Sequence, residues 1–189
     1  MAWKKEQKEQ TRQRILESAA DLFMLKGFEH VGINEIMTNA KLTRGAFYAH
    51  FSSKAELYAE SIVTSALAMK DFLNPLHPSA PPFNSLISHY LSSSHMNGTS
   101  MRCPLAFLVS DITQQDAQVK AAYTKVFKGF TLYLKQRLEK QDDVEEGNAH
   151  SQSLLYAATM IGSLSLARAL DDEALALDLL NACQHALES

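Results

Sequence analysis

The stretch Ile33–Leu57, INEIMTNAKLTRGAFYAHFSSKAEL, decides the fold of this chain. Apolar residues recur at helical spacing on both sides of a short central turn, which predicts two short helices followed by the start of a longer one. From Thr38 to Ala55 the sequence contains no acidic residue, and aromatic residues alternate with the basic ones, which are Lys41, Arg44, His50 and Lys54. A basic helix-turn-helix with interleaved aromatic residues is typical of a surface that reads DNA.

The composition is that of a globular protein with an uneven distribution of charge. Of the 189 residues, 46% are apolar and 21% are charged, so the chain can form one or two domains with a real core. The net charge is −3, but residues 1–60 contain nine Lys and Arg against eight Asp and Glu, or +1, whereas residues 61–189 contain nine against thirteen, or −4. A positive potential is therefore expected only near the N-terminus.

Several features favour a cytoplasmic protein without cofactors. No apolar run is long enough to span a bilayer, and the basic N-terminal segment is not followed by the apolar region of a signal peptide. Two cysteines are too few for a disulfide framework. His89 and His95 are six residues apart and would lie on different helix faces, so no metal site is predicted.

Helical periodicity predicts an all-α chain. The predicted helices are residues 8–26, 33–40, 44–50, 54–73, 83–96, 104–113, 116–140, 150–170 and 172–188. Thr43 is a suitable N-cap for the third helix, and Ser52 or Ser53 for the fourth. The proline-rich segment 74–82 and the acidic segment 141–148 are predicted loops. We predict a helix-turn-helix DNA-binding domain at residues 1–53 and a helical domain for effector binding and dimerisation at residues 54–189.

The last two predicted helices have more apolar surface than a small core can use. The first of them, at residues 150–170, is rich in Ala, Gly and Ser, which allows another helix to approach closely. The second has an apolar stripe formed by Leu175, Leu179, Ala182, Cys183 and Ala186. This pattern predicts a homodimer held by a four-helix bundle of these two helices from each chain; packing within one chain is the alternative.

A series of short motifs resembles the N-terminal domain of the TetR family of bacterial transcriptional repressors. The motifs stand at fixed spacing and are Gly27-Phe28, Ile36, Thr43-Arg44-Gly45, Tyr48-Ala49-His50-Phe51 and Lys54-Ala55-Glu56-Leu57. The resemblance is strong from about Thr11 to Ile62. It implies a dimer that binds a palindromic DNA operator, and a C-terminal domain whose signal changes the spacing of the two recognition helices.

The resemblance implies that the DNA-binding residues are Thr43, Arg44, Gly45, Ala46, Tyr48, His50 and Lys54. The chemistry fits each role. Arg44 can donate two hydrogen bonds to a guanine, Ala46 offers a methyl contact to thymine, and Gly45 lets the helix backbone lie close to the duplex. The hydroxyls of Thr43 and Tyr48, the imidazole of His50 and the ammonium group of Lys54 are suited to bind phosphates. A solvated surface is the alternative for Arg44, Tyr48 and Lys54, and packing against a neighbouring helix is the alternative for His50.

The sequence shows three departures from the family pattern. Val31-Gly32 replaces the usual pair of hydroxyl residues before the second helix, which removes one phosphate-binding hydroxyl. Lys41 stands where the turn usually has Gly, and we expect a modest strain together with added positive charge. Met37 replaces the usual Ala and should fill space in the core.

Cys103 is the sharpest candidate for signal sensing. Pro104 suits the first position of a helix, so Cys103 should be its N-cap, and the helix end and Arg102 would both lower the pKa of the thiol. Some members of the TetR family sense reactive species through a cysteine. We therefore predict a small apolar or electrophilic effector near Cys103 and Arg102, with Phe107, Tyr123, Phe127 and Tyr156 lining a pocket. Ordinary core packing is the alternative for all of these residues.

Two other classes of function are alternatives to a DNA-binding regulator. An enzyme is not expected, because the sequence shows no nucleophile with a base and no glycine-rich phosphate loop. A helical ligand-binding or interaction module without specific DNA binding is the remaining alternative, and the basic stretch around Arg44 argues against it.

Overall fold

A computed structural model describes residues 2–73, 82–99, 102–140 and 148–188, and these fold into eleven α-helices. The all-α prediction is confirmed. The helices are α1 Ala2–Lys26, α2 Ile33–Asn39, α3 Arg44–Tyr48, α4 Lys54–Leu73, α5 Phe83–Tyr90, α6 Ser93–Met96, α7 Pro104–Phe107, α8 Val109–Ile112, α9 Ala117–Leu138, α10 Ala149–Ala169 and α11 Glu173–Glu188. The two predicted loops lie outside the described residues, apart from Pro82 and Asn148. None of the described helices is long and apolar enough to cross a lipid bilayer.

The chain forms two compact units, and neither is continuous in sequence. Unit 1 comprises Met1–Ala68 together with Phe107–Val126, and unit 2 comprises Met69–Ala106 together with Phe127–Ser189. The helix-turn-helix lies in unit 1, and the last two helices lie in unit 2. The proposed division of domains at residues 53 and 54 remains a prediction.

The core of unit 1 is built on one face of α1. Ile15, Ala19 and Phe23 are fully buried there at helical spacing. The ring of Phe23 lies 4.6 Å from that of Tyr58 in α4, and the Phe28 ring lies 5.1 Å from Tyr58, measured between centroids. This aromatic cluster fixes α4 against α1 and supports the helices that follow the turn at Gly27.

Asp111 in α8 joins three parts of unit 1. Its carboxylate accepts a hydrogen bond from the backbone N–H of Phe28 at 3.2 Å and another from the hydroxyl of Tyr58. Burial and this carboxylate raise the pKa of Tyr58. Gly27 ends α1 with a φ of +75°, and a Cβ at this position would lie 3.2 Å from Asp111 Oδ1. Glycine is therefore required there both by the backbone and by the space.

Unit 2 is organised around α10 and α11, which pack against each other, while α10 also contacts α6 and α11 contacts α5. The inner face of α10 is lined by Ala157, Met160 and Leu164, all fully buried.

The helix predicted at 83–96 is interrupted, because Ser92 takes an extended conformation and its hydroxyl caps α6 by accepting from the N–H of His95 at 3.2 Å. The helix predicted at 104–113 is interrupted at Leu108, where φ is −116° and ψ is 2°.

Candidate nucleic-acid interface

The turn between α2 and α3 closes with two backbone hydrogen bonds of the Schellman type. The N–H of Lys41 donates to the carbonyl of Thr38 at 3.0 Å, and the N–H of Leu42 donates to that of Met37 at 2.9 Å. Lys41 has a φ of +55°, which is the left-handed conformation expected for this position. Met37 is buried in the core of unit 1, as predicted.

Two phenylalanines hold α3 in place. Phe47 and Phe51 are buried with ring centroids 5.9 Å apart, so they anchor this segment to the core. The guanidinium of Arg12 lies 4.8 Å from the centre of the Phe51 ring, and Arg12 also forms an ion pair with Glu60. The short helix α3 therefore packs against the rest of unit 1 through its inner face. This packing fixes the position of its outer face.

The outer face of α3 presents the residues expected there. Arg44 and Gly45 are exposed, and Tyr48 is 59% exposed with its ring edge-on to that of Phe47 at 5.1 Å. Ala46 differs from the expectation, because it is half-buried and packs against the core of unit 1. Its methyl group therefore presents less surface than an outward position would give.

The Thr43 hydroxyl does not have the capping role predicted for it. Thr43 occupies the N-cap position of α3 with an extended backbone, at φ −80° and ψ 151°, but its side chain makes no cap hydrogen bond. The backbone alone starts the helix, since the N–H of Ala46 donates to the carbonyl of Thr43 at 3.0 Å. Thr43 itself is exposed, so its hydroxyl is accessible from solvent.

His50 is half-buried at the end of this segment. Its Nδ1 atom is buried and makes no hydrogen bond with the residues that the structure describes. Burial, and then the nearby charges of Lys8 and Arg12, lower the pKa of His50, while Glu9 opposes them. This shift favours the neutral form of the imidazole, whose Nδ1 atom is enclosed by the protein.

Lys54 is the first residue of α4, the helix that follows α3 in the chain. Its ammonium nitrogen lies 4.1 Å from the centre of the Phe28 ring, so the side chain rests on the aromatic cluster of unit 1. Ser53 caps α4, because its hydroxyl accepts from the N–H of Glu56 at 3.0 Å. This bond confirms the predicted serine cap. The Glu56 carboxylate in turn accepts from the N–H of Ser52, the residue before the cap, at 2.7 Å.

The predicted effector residues are divided between the two units. Phe107 and Tyr123 pack against the core of unit 1. Arg102, Cys103, Phe127 and Tyr156 belong to unit 2. Tyr156 is stacked on Phe83 at 5.6 Å, and its hydroxyl donates to the carbonyl of Leu187 at 2.7 Å, which ties α10 to the end of α11. Their role as effector contacts remains a prediction.

The pKa predicted for Cys103 is wrong in direction. Cys103 precedes α7, as expected, but its side chain is buried, and this burial raises the pKa of the thiol above its usual value. The Tyr90 hydroxyl donates to its sulfur at 3.4 Å and opposes the shift without overcoming it. The backbone N–H of Cys103 donates to Nε2 of the buried His95 at 3.4 Å. The helix α7 has only four residues and does not reverse the effect of burial.

The hydrogen bonds that connect α1 to the helix-turn-helix could not be predicted from the sequence. Arg14 Nη2 donates to the carbonyl of Ala40 at 2.6 Å, and the Ser18 hydroxyl donates to that of Ile36 at 2.8 Å. Asn39 Nδ2 donates to the Ser18 oxygen at 2.9 Å. Arg14 and Ser18 are four residues apart and so share one face of α1, but their partners are revealed only by the fold.

Comparison with known proteins agrees with this geometry. Residues 15–61 match the family model described as "Bacterial regulatory proteins, tetR family". The AcrR regulator of Shigella flexneri is 41% identical over 56 residues, which cover 30% of this chain and 26% of that protein. The match thus spans about a quarter of that relative. The uncharacterised regulator YxaF of Bacillus subtilis is 24% identical over 161 residues, or 82% of this chain and 84% of that one.

Solved structures show the same fold across both units. The reduced form of NemR from Escherichia coli is similar with a TM-score of 0.77 and 20% identity, covering 94% of this chain and 95% of that chain. At this identity the likeness is one of fold. Residues 15–61, which contain the helix-turn-helix, form a DNA-binding domain of the TetR family of bacterial regulatory proteins.

Proposed function

We propose that this chain is a dimeric transcriptional repressor that binds a palindromic DNA operator in the bacterial cytoplasm and leaves it when unit 2 receives a signal. The outer face of α3 supports this proposal most directly. Arg44, Gly45 and Tyr48 are exposed there, while Phe47 and Phe51 hold the same segment rigidly on the core. A recognition helix needs this combination of a fixed inner face and an accessible outer face.

The proposed DNA contacts are of two kinds, one to a base edge and the others to phosphates. Arg44 stands in the first turn of α3 and would read a base edge, whereas Thr43, Tyr48, His50 and Lys54 would bind phosphates. To reach a phosphate, Lys54 would leave the Phe28 ring, on which its ammonium group lies. Ala46 retains only a partial surface for a thymine methyl contact.

Fluorescence anisotropy with labelled operator DNA tests these roles. Arg44→Ala should weaken binding by about 1–3 kcal/mol and relax the preference at one base pair. Lys54→Ala should weaken binding about equally for all sequences and reduce the slope of log affinity against log salt by about one unit. Unchanged sequence preference in Arg44→Ala would assign that residue to the backbone. A wild-type chain without sequence preference at any salt concentration would favour the alternative module without specific DNA binding.

The homodimer is proposed to form through α10 and α11. On α10, Leu155 is 62% exposed and Leu166 is 60% exposed, and the two are eleven residues, or about three turns, apart on one face. Gly162 lies between them, and a Cβ there would have no atom within 4 Å. An open face with small residues between two leucines allows a second helix to pack closely.

The stripe on α11 continues this apolar surface. Leu175 is exposed, and Leu179 and Cys183 are half-buried, whereas Ala176, Leu180 and Leu187 are the residues buried within the chain. The stripe recognised in the sequence is therefore left largely uncovered in the single chain. Cys183 lies on this stripe and is not part of the core of its own chain.

Light scattering coupled to size-exclusion chromatography tests the dimer with a matched pair of variants. Gly162→Leu adds a side chain whose Cβ has no atom within 4 Å in its own chain but which obstructs a partner helix, so we expect a monomer. Gly129→Leu is the control, because a Cβ at Gly129 on α9 also has no atom within 4 Å and this residue lies outside the proposed bundle. A dimer that persists in Gly162→Leu would place the interface elsewhere.

Release from DNA is proposed to follow either a small apolar ligand in unit 2 or modification of Cys103. Because the Cys103 thiol is buried and its pKa is raised, the structure favours the non-covalent route. In the covalent route the sulfur would add to an electrophilic carbon–carbon double bond and the thiol proton would pass to the adjacent carbon. The adduct would need space that the contacts with Tyr90 and His95 now fill.

A maleimide titration distinguishes these routes. Mass spectrometry of digested protein gives the order in which the buried Cys103 and the half-buried Cys183 react. If Cys103 is the switch, operator release should follow modification of Cys103 in wild type and in Cys183→Ser, and it should be absent in Cys103→Ser. Release that is the same in Cys103→Ser would end the covalent proposal and leave a reversible ligand.

A further inference from the structure

The turn of the helix-turn-helix contains a strained lysine. Among the described residues Lys41 is the non-glycine residue with a positive φ, +55°. It occupies the position of the Schellman motif at which glycine is favoured, because a side chain in the left-handed conformation crowds its own backbone. Strain of this kind persists where the surroundings determine the conformation and is concentrated at functional sites.

Hydrogen bonds from α1 hold this turn in its conformation. Arg14 Nη2 lies 2.6 Å from the carbonyl oxygen of Ala40 and 3.5 Å from that of Lys41, so one guanidinium reaches the carbonyls on both sides of the strained residue. One turn further along α1, the Ser18 hydroxyl donates to the Ile36 carbonyl at 2.8 Å. The last turn of α2 is therefore fixed from outside as well as by its own Schellman bonds.

The strained conformation places a cation next to the recognition helix. Lys41 is exposed and stands three residues before Arg44, in a segment without acidic residues from Thr38 to Ala55. Leu42, which follows it, packs against the core of unit 1, so the backbone on either side of the lysine is held. A glycine would make the same turn with less strain but would offer no charge.

We propose that Lys41 is a DNA phosphate contact and that Arg14 is the positioning residue that holds it there. This inference rests on the proposed function, since it requires that α3 binds DNA. The ammonium group of Lys41 donates a hydrogen bond to a backbone phosphate next to the base that Arg44 contacts. Arg14 acts only through the turn, by keeping Ala40 and Lys41 in the geometry from which the lysine reaches the duplex.

The test measures operator affinity against salt concentration for variants of both residues. Lys41→Gln removes the charge, Lys41→Gly removes the charge and the strain, and Lys41→Arg keeps the charge. Loss of one phosphate contact should lower the log–log salt slope by about 0.9 in the first two variants. The affinity deficit relative to wild type should then shrink about 3.5-fold between about 50 and about 200 mM salt. Lys41→Arg should restore the wild-type slope.

Arg14→Gln provides the readout for positioning. It should lower the salt slope in the wild-type background and have no further effect on the slope when Lys41→Gly is already present. Lys120→Gln is the matched control, because Lys120 is an exposed lysine of unit 1 on α9 and should leave the slope unchanged. Thermal unfolding of each variant shows that the fold persists, and Lys41→Gly should unfold at a higher temperature than wild type.

Each contrary result has a distinct meaning. Wild-type salt slopes in both Lys41→Gln and Lys41→Gly would overturn the phosphate contact. A slope loss in Arg14→Gln that persists with Lys41→Gly would show that Arg14 contacts DNA itself, and would overturn its positioning role. A wild-type chain that binds no DNA would overturn the proposed function first, and this inference with it.

Discussion

Substituting Gly45 by alanine should make the protein more stable and a weaker DNA binder. Gly45 is the second residue of α3, it is exposed, and a Cβ there would have no atom within 4 Å. Its φ is not in the left-handed region, so alanine fits the backbone without strain. Replacing a helical glycine by alanine contributes about 0.5–1 kcal/mol, which corresponds to a rise in Tm of about 1–4 °C for a chain of this size.

The effect on DNA binding should have the opposite sign. If the backbone of α3 lies against the duplex at Gly45, an added methyl group displaces the helix from its contacts. Loss of one such contact costs about 1–3 kcal/mol, or about 5- to 150-fold in Kd. Gly129→Ala is the control, because Gly129 on α9 is also exposed and open and should gain stability without any change in affinity.

Differential scanning calorimetry gives the stability change, and anisotropy with operator DNA gives the affinity. The two measurements must be made on the same preparations, because a loss of binding that accompanied a loss of stability would have a simpler cause. Wild-type affinity in Gly45→Ala would refute the close approach of α3 to DNA at this residue. Lower stability in Gly45→Ala would refute the local geometry on which the magnitude rests.

Three further predictions concern the stability of the scaffold. Gly27→Ala should destabilise the protein by about 1–2 kcal/mol in urea denaturation, because alanine is strained at a φ of +75° and its methyl would press on Asp111; a neutral effect would contradict the turn geometry. Gly32→Ser should stabilise it by roughly 0.3 kcal/mol in the same assay, since Gly32 is the N-cap of α2 and a serine hydroxyl can accept a hydrogen bond from the first turn; a loss of stability would contradict this capping geometry. Burial lowers the pKa of His95 from 6.5 to about 4, so the unfolded chain binds more protons in this range. Stability should therefore fall as the pH is lowered from about 6.5 to about 4, by up to roughly 3 kcal/mol, and a pH series of Tm should show this fall in wild type but not in His95→Asn.

The helix-turn-helix could be predicted from sequence because its signals are local. The apolar spacing that buries Phe47 and Phe51, the serine cap of α4 and the left-handed turn at Lys41 all depend on residues within a few positions of one another. Local patterns of this kind determine where short helices begin and end.

The contacts that depend on distant residues could not be predicted. Asp111 meets Phe28 across 83 positions, and Arg14 meets Ala40 across 26. The lowered pKa predicted for Cys103 is wrong for the same reason. Its neighbours in sequence favour a lowered pKa, whereas its surroundings in the fold bury the thiol and raise the pKa. Burial is a property of tertiary packing, and it outweighs the effect of a short helix end on the thiol.

Selection of binding sites from a random DNA library tests the central claim most directly, since it needs no assumption about where the operator lies. Wild-type protein should enrich an inverted repeat whose half-sites are separated by about one helical turn or a multiple of it. Arg44→Ala should enrich a sequence with at least one relaxed position in each half-site. Failure of the wild-type protein to enrich any sequence, at salt concentrations where it remains folded and dimeric, would contradict the claim that α3 reads DNA.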